Sequence, residues 1–168
     1  MPNSKYQLED FLNTVHQDDR DFVMQIHEQL LREGYKPKVQ LTKLYGLHVQ
    51  YWQPRIKTVK GIIAYLMVHE GHLRIRINMD NHAKYSDALE HLPESMVCSI
   101  DASPDCMKMA DPTKCWQGCI GYAFEIGGKS FGKCYCCCFV FDINAANFPT
   151  ITELLTYEDE QRQAIFQL

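Results

Sequence analysis

The sequence predicts an α+β fold, with helices packed on an antiparallel sheet, and three observations carry that prediction. Apolar residues recur at helical spacing before Gly34 and again after Asp80. Between Lys36 and Asn78 they alternate with period two. The chain has 168 residues, of which 46% are hydrophobic and 23% charged, which suits one domain, residues 1–168, around a single core.

The elements follow in order. Ser4-x-x-Gln7 has a capping-box pattern, and Leu8, Phe11, Leu12 and Val15 follow at helical spacing. A second helix starts at Asp18 or Asp19, carries Phe22, Val23, Ile26 and Leu30 on its apolar face, and ends near Gly34. Val39 and Leu41 then alternate with polar neighbours, as do Leu47, Val49 and Tyr51, with a hairpin turn near Tyr45-Gly46. The run from Gly61 to Val68 reads as a central strand. After a turn at "HEGH", Leu73, Ile75 and Ile77 alternate with Arg74, Arg76 and Asn78. These four strands form a meander with one buried face. The alternating arginines are expected on its open face, along with the other strand lysines Lys36, Lys38 and Lys43.

Helical spacing returns after Asp80, is interrupted at Pro93, and resumes through Met96, Val97 and Ile100, with Cys98 as a small buried side chain. Gly127-Gly128 then joins two more strands, "CYCCCFVFDI" reads as another strand of the sheet, and a closing helix starts near Pro149.

Charge and motifs exclude several function classes. The formal net charge of −4 disfavours nucleic-acid binding, which needs a concentrated basic surface. No apolar run reaches the ~20 residues of a membrane span, and "MPNSKYQLED" lacks the apolar core of a secretory signal. The expectation is a cytoplasmic protein without membrane or nucleic-acid partners. GxGxxG and HExxH are absent. His69 and His72 read as turn residues, and Asp80, His82 and Glu90 as cap and surface groups. Tyr51, Trp52, Tyr65, Trp116 and Tyr122 are the aromatic residues suited to a ligand pocket.

Residues 101–142 stand apart, as a cysteine-rich metal-binding segment. In a reducing compartment, the eight cysteines of the chain point to metal ligation, reactive thiols or buried thiols. Cys106, Cys115, Cys119 and Cys134 are spaced Cys-x8-Cys-x3-Cys-x14-Cys, and the x3 pair has the close spacing of zinc sites. Four thiolates saturate tetrahedral Zn2+, so this centre would be structural. On an extended strand Cys134, Cys136 and Cys138 point one way and Cys137 the other, with alternate Cα atoms about 6.6 Å apart. That geometry places disulfides poorly. Cys134 is then a ligand and Cys136, Cys137 and Cys138 compact fillers. Rival readings stay open: Cys136 in place of Cys134, a soft metal such as Cu(I), or redox thiols.

The stretch from Cys106 to Phe141, with "LRIRINMDNHAKYSDALEHLPESM" upstream, resembles a family of small uncharacterised proteins of anaerobic Gram-positive bacteria. The resemblance runs from about Phe22 to Leu155 and rests on Cys106, Asp111-Pro112, Cys115, Cys119, Gly121-Tyr122, Lys133-Cys134 and Phe139. It implies one zinc site on Cys106, Cys115, Cys119 and Cys134 and names no activity. The expected function is a zinc-stabilised binding module for a small molecule or protein partner. The alternative is a thiol-based redox enzyme or sensor.

Overall fold

The computed structural model describes residues 5–115 and 121–167. Ser4 and Cys119 lie outside them. The first helix, α1 (Leu8–Leu12), begins where the Asp10 carboxylate accepts a hydrogen bond from the Gln7 amide at 2.7 Å. It buries Phe11 and Leu12. Helix α2 (Arg20–Arg32) follows a 3-10 turn at Gln17–Asp19 and buries Val23, Ile26 and Leu30, the stripe set by its spacing.

Strands β1 (Lys36–Thr42), β2 (Gly46–Trp52), β3 (Ile62–His69) and β4 (His72–Ile77) form the expected antiparallel meander. Lys36, Lys38 and Lys43 are exposed. A fifth strand, β7 (Val140–Asp142), pairs with β4 to give the order β1-β2-β3-β4-β7. Helix α6 (Phe148–Phe166), with Pro149 in its first turn, lies beside α2. The Gln29 side chain bonds the Thr152 carbonyl at 3.2 Å, and Phe22 packs on Phe148. Tyr51 reaches α2 through a 3.0 Å hydrogen bond to His27. These contacts cover the sheet face of Val49, Tyr51, Leu66 and Ile75.

The opposite face is covered too, which corrects the expectation of one buried face. His48, Met67 and Arg76 on that side are buried. Tyr45, from the β1–β2 turn, folds over them, within 5.5 Å of His48 and 5.9 Å of Tyr65 between ring centres.

Between β4 and β7 come the short α3 (Ser86–Leu89), α4 (Glu94–Ala102), α5 (Met107–Ala110), β5 (Gly121–Ile126) and β6 (Lys129–Cys134). Helix α5 was not legible in the sequence. Cys98 is exposed, contrary to expectation. On α4 the buried residues are Met96 and Ile100, and Cys98 lies two positions from each, on the far side of the helix. Strands β5 and β6 form a hairpin through Gly127 (φ 57°) and Gly128 (φ 75°), a two-residue turn that needs positive φ at both positions. The hairpin is a separate two-stranded sheet and does not extend the main one.

Candidate functional site: the cysteine turn over Arg76

Strand β6 delivers Cys134 at its last position, and there the extended conformation stops. The amides of Cys137 and Cys138 both donate to the Cys134 carbonyl, at 3.1 and 3.0 Å. This is a helical turn, so the expected strand through Cys136–Cys138 is corrected. The cause is topological. The β5–β6 ladder is separate, yet the chain must reach the edge of β4, where the Ile77 amide donates to the Phe139 carbonyl at 3.0 Å. Redirecting the backbone between those two ladders takes one tight turn.

The turn sorts the three cysteines differently from a strand. Cys138 is fully buried, and burial pushes its thiol up to about 12, so it is the expected filler. Cys136 is half-buried and Cys137 exposed. Both thiols feel Cys134 electrostatically, and Cys136 feels Cys115 as well. Burial raises both thiols above the usual cysteine value. Cys136 and Cys137 also line a cleft of about 370 Å³ with Arg74, Ser99, Ser103 and Asp142.

Cys106 reaches the same hairpin from the other direction. Its amide donates to the Gly132 carbonyl at 2.8 Å, and the Cys134 amide donates to the Pro104 carbonyl at 2.9 Å. Residues 104–106 thus run along β6, with a bridge between Asp105 and Lys133. Cys106 is buried, and its Sγ lies against Gly121 beside the thioether of Met109. Gly121 pairs with Cys134 across the hairpin. The structure therefore brings Cys106 and Cys134 to one face of the hairpin. Cys119 lies outside the described residues. Among the described residues, no three His, Cys, Asp or Glu side chains are grouped so as to hold a metal ion.

Beneath the turn lies a residue whose role the sequence reading missed. Arg76 is 7% exposed, not on an open face. Its guanidinium carbon sits 5.1 Å from the Tyr65 ring centre and 5.7 Å from that of Tyr135. One terminal nitrogen donates to the Tyr45 hydroxyl at 2.9 Å, while the buried Nε has no partner. Among the described residues Arg76 has no ion-pair partner, whereas Arg74 pairs with Asp142 at 2.6 Å. Cys136 is within electrostatic reach of this cation. Burial raises its thiol, and Arg76 pulls it back down. The available signal was Arg76 alternating with a core stripe, which gives the face but not its cover.

The remaining candidates are structural. His69 and His72 are exposed, but they are not turn residues: they pair as the last rung of the β3–β4 ladder, and Glu70-Gly71 makes the turn between them. Glu90 accepts a hydrogen bond from the Gly127 amide at 2.7 Å, and His82 lies between the Met79 and Ala123 carbonyls. Asp80 is not a surface group: it accepts from the Tyr135 hydroxyl at 2.8 Å and pairs with buried Arg162 at 2.9 Å. Tyr51 and Tyr122 are buried in the core, and Trp116 lies outside the described residues. No protein-family model, curated protein or solved structure matches the chain. Among the described residues no helix is long and apolar enough to cross a membrane.

Proposed function

We propose that the cysteine-rich segment is a zinc-thiolate centre that fixes the loop-rich half of a small binding module, whose ligand is a small molecule or a protein. The observation that supports this most directly is Arg76. A guanidinium taken out of water without a counter-ion is strongly disfavoured. Its described neighbours are tyrosines and Cys136, all neutral as free side chains at pH 7. Thiolates gathered on Zn2+ give a centre of net negative charge, which is what this cation lacks. Cys134 and Cys115, with Cys106 and Cys119 from the spacing, are the candidate donors. The zinc would supply structural cross-linking and, with four thiolates, no open coordination position. A thiol must lose its proton to bind a metal, so metal binding at this turn would release protons. The cleft beside the turn gives a metal a way in and offers polar side chains to a ligand.

A redox reading is favoured by one separate observation. Cys134 and Cys137 are joined by one helical turn, the Cys137 amide donating to the Cys134 carbonyl at 3.1 Å, which brings the two residues nearer than an extended strand would. With a peroxide as oxidant, two thiols would yield one disulfide and two waters. The raised Cys137 thiol makes that reaction slow at neutral pH.

Metal content and fast-reacting thiols, measured on one sample purified anaerobically without chelator, separate the two readings. Close to one zinc per chain, with the cluster thiols protected, is the expected result. A metal-free protein that forms a Cys134–Cys137 disulfide under mild peroxide would replace the first reading with the second.

A further inference from the structure

We infer that Met109 is a peroxide-sensitive modification site, and that its conversion to the sulfoxide undocks α5 and uncovers Cys106. The thioether rests on a seat made by two glycines. Gly121 of β5 and Gly132 of β6 share one face of the hairpin, because Gly121 pairs with Cys134, two positions along β6 from Gly132. A Cβ on Gly121 would lie 2.6 Å from Met109 Sδ and 2.8 Å from its Cγ, and one on Gly132 would lie 3.7 Å from Sδ and 3.6 Å from Cε. Cys106 Sγ lies 2.6 Å from the same Gly121 position, so thiol and thioether are neighbours on this seat. Met109 is 50% exposed and Cys106 is 5% exposed, so an oxidant in water meets the thioether first.

Helix α5 depends on its docking. None of its residues is buried, and a helix this short does not hold in water by itself. Its backbone bonds, from the Met109 amide to the Cys106 carbonyl at 3.1 Å and from the Asp111 amide to the Met107 carbonyl at 2.8 Å, therefore report whether it is seated. Hydrogen peroxide transfers one oxygen atom to Sδ: the O–O bond breaks, the S–O bond forms, the sulfur gives up two electrons, and water leaves. The product is larger and polar. The seat fits the thioether because its glycines carry no side chains, and it leaves little room for an added oxygen. A polar group held there without a partner is disfavoured, so Met109 turns out to water and Cys106 loses its cover. Met107 provides the contrast. It is 62% exposed and takes no part in the seat, so its oxidation leaves α5 in place. None of this rests on the zinc-thiolate reading.

In the test, the full chain is treated with dilute hydrogen peroxide and then with a thiol reductant, which restores cysteines and leaves sulfoxides in place. Peptide masses are expected to show an added oxygen on Met107 and Met109 and none on buried Met79 and Met96. Hydrogen exchange at the Met109 and Asp111 amides is expected to speed up by about 10–100-fold, the factor an unpartnered polar group in a contact carries, and Cys106 is expected to become open to a maleimide. Met109→Leu keeps the size and removes the reactive sulfur, so its α5 should stay docked after the same treatment. Met109→Gln places a polar head on the seat without any oxidant and should exchange fast from the start. Met107→Leu should respond as wild type does. Any of four results overturns the inference: Met109 left reduced where Met107 is converted, a Met109 sulfoxide with α5 still protected, a peroxide response kept in Met109→Leu, or wild-type protection in Met109→Gln. Amide exchange reads the docking whether or not Cys106 holds a metal, so such a result leaves the zinc reading standing. Likewise, a chain that binds no zinc leaves the Met109 switch standing.

Discussion

Glu33 shows how a single side chain can make stability depend on pH. It lies at the end of α2, where Gln29 donates to one carboxyl oxygen at 3.1 Å and the other is buried without a partner. Burial raises its carboxyl from 4.5 to about 7, opposed by the Gln29 hydrogen bond and assisted by nearby Asp159. A raised carboxyl binds its proton more tightly in the folded state. Its favourable contribution is therefore complete below pH 4.5 and is lost as pH rises to about 7. Glu33→Gln keeps a neutral group of the same shape at every pH. Relative to this variant, the wild type is expected to lose stability between pH 5 and pH 8, read as a falling difference in urea midpoint. Parallel midpoint profiles for the two proteins would rule the effect out.

At the scale of elements, the hairpin and α5 meet where one glycine makes the contact possible. A Cβ on Gly121 would lie 2.6 Å from both Cys106 Sγ and Met109 Sδ. Met109 is half exposed and has room to swing away, but Cys106 is buried and tied to β6 through its amide. Gly121→Ala should therefore push α5 and residues 104–106 off the hairpin. The expected loss is about 1–3 kcal/mol, as for other overpacked contacts, read by chemical denaturation. Gly132→Ala is the control, since its nearest contacts begin at 3.6 Å. Equal costs in the two variants would show that backbone entropy, not the close approach, is responsible. This junction also marks the limit of what the sequence made legible. Helix α2, the four-strand meander, the Gly127-Gly128 hairpin and α6 follow from local periodicity and turn chemistry, and the fold has them. The cysteine turn does not follow, because "CYCCCFVF" is a short apolar run that reads as a strand, and only the pairing of Phe139 with Ile77 bends the chain. Period two placed Arg74 and Arg76 on one face. It carries no information that Tyr45 and Tyr135, remote in sequence, close over Arg76.

Across the whole molecule, the cysteine turn is tied to the helical layer through buried polar groups centred on Arg162. Tyr135, in the turn, donates to Asp80, and Asp80 pairs with Arg162 of α6. Arg162, 1% exposed, also bonds Glu158 at 2.8 Å, the Asn78 carbonyl at 2.9 Å, and the Lys60 carbonyl. Glu158 is fully buried and accepts in addition from the Tyr85 hydroxyl at 2.6 Å and from Asn81. One guanidinium thus joins α6, the chain entering β3, the end of β4 and, through Asp80, the cysteine segment. Arg162→Met would leave Glu158 and Asp80 facing each other without a cation. Breaking a buried pair in this way costs about 3–5 kcal/mol, a large part of the ~5–15 kcal/mol that holds a domain together. Because the joined elements belong to different layers, the loss should appear in one cooperative transition, with circular dichroism and tyrosine fluorescence moving together. Adding Glu158→Gln neutralises one stranded charge while keeping an acceptor for Tyr85 and Asn81, so the double variant is expected to regain part of the lost stability. A double variant no more stable than Arg162→Met alone would mean that side-chain packing, rather than charge, is what Arg162 contributes. Two separated transitions in Arg162→Met would mean that this arginine is what makes the layers unfold as one.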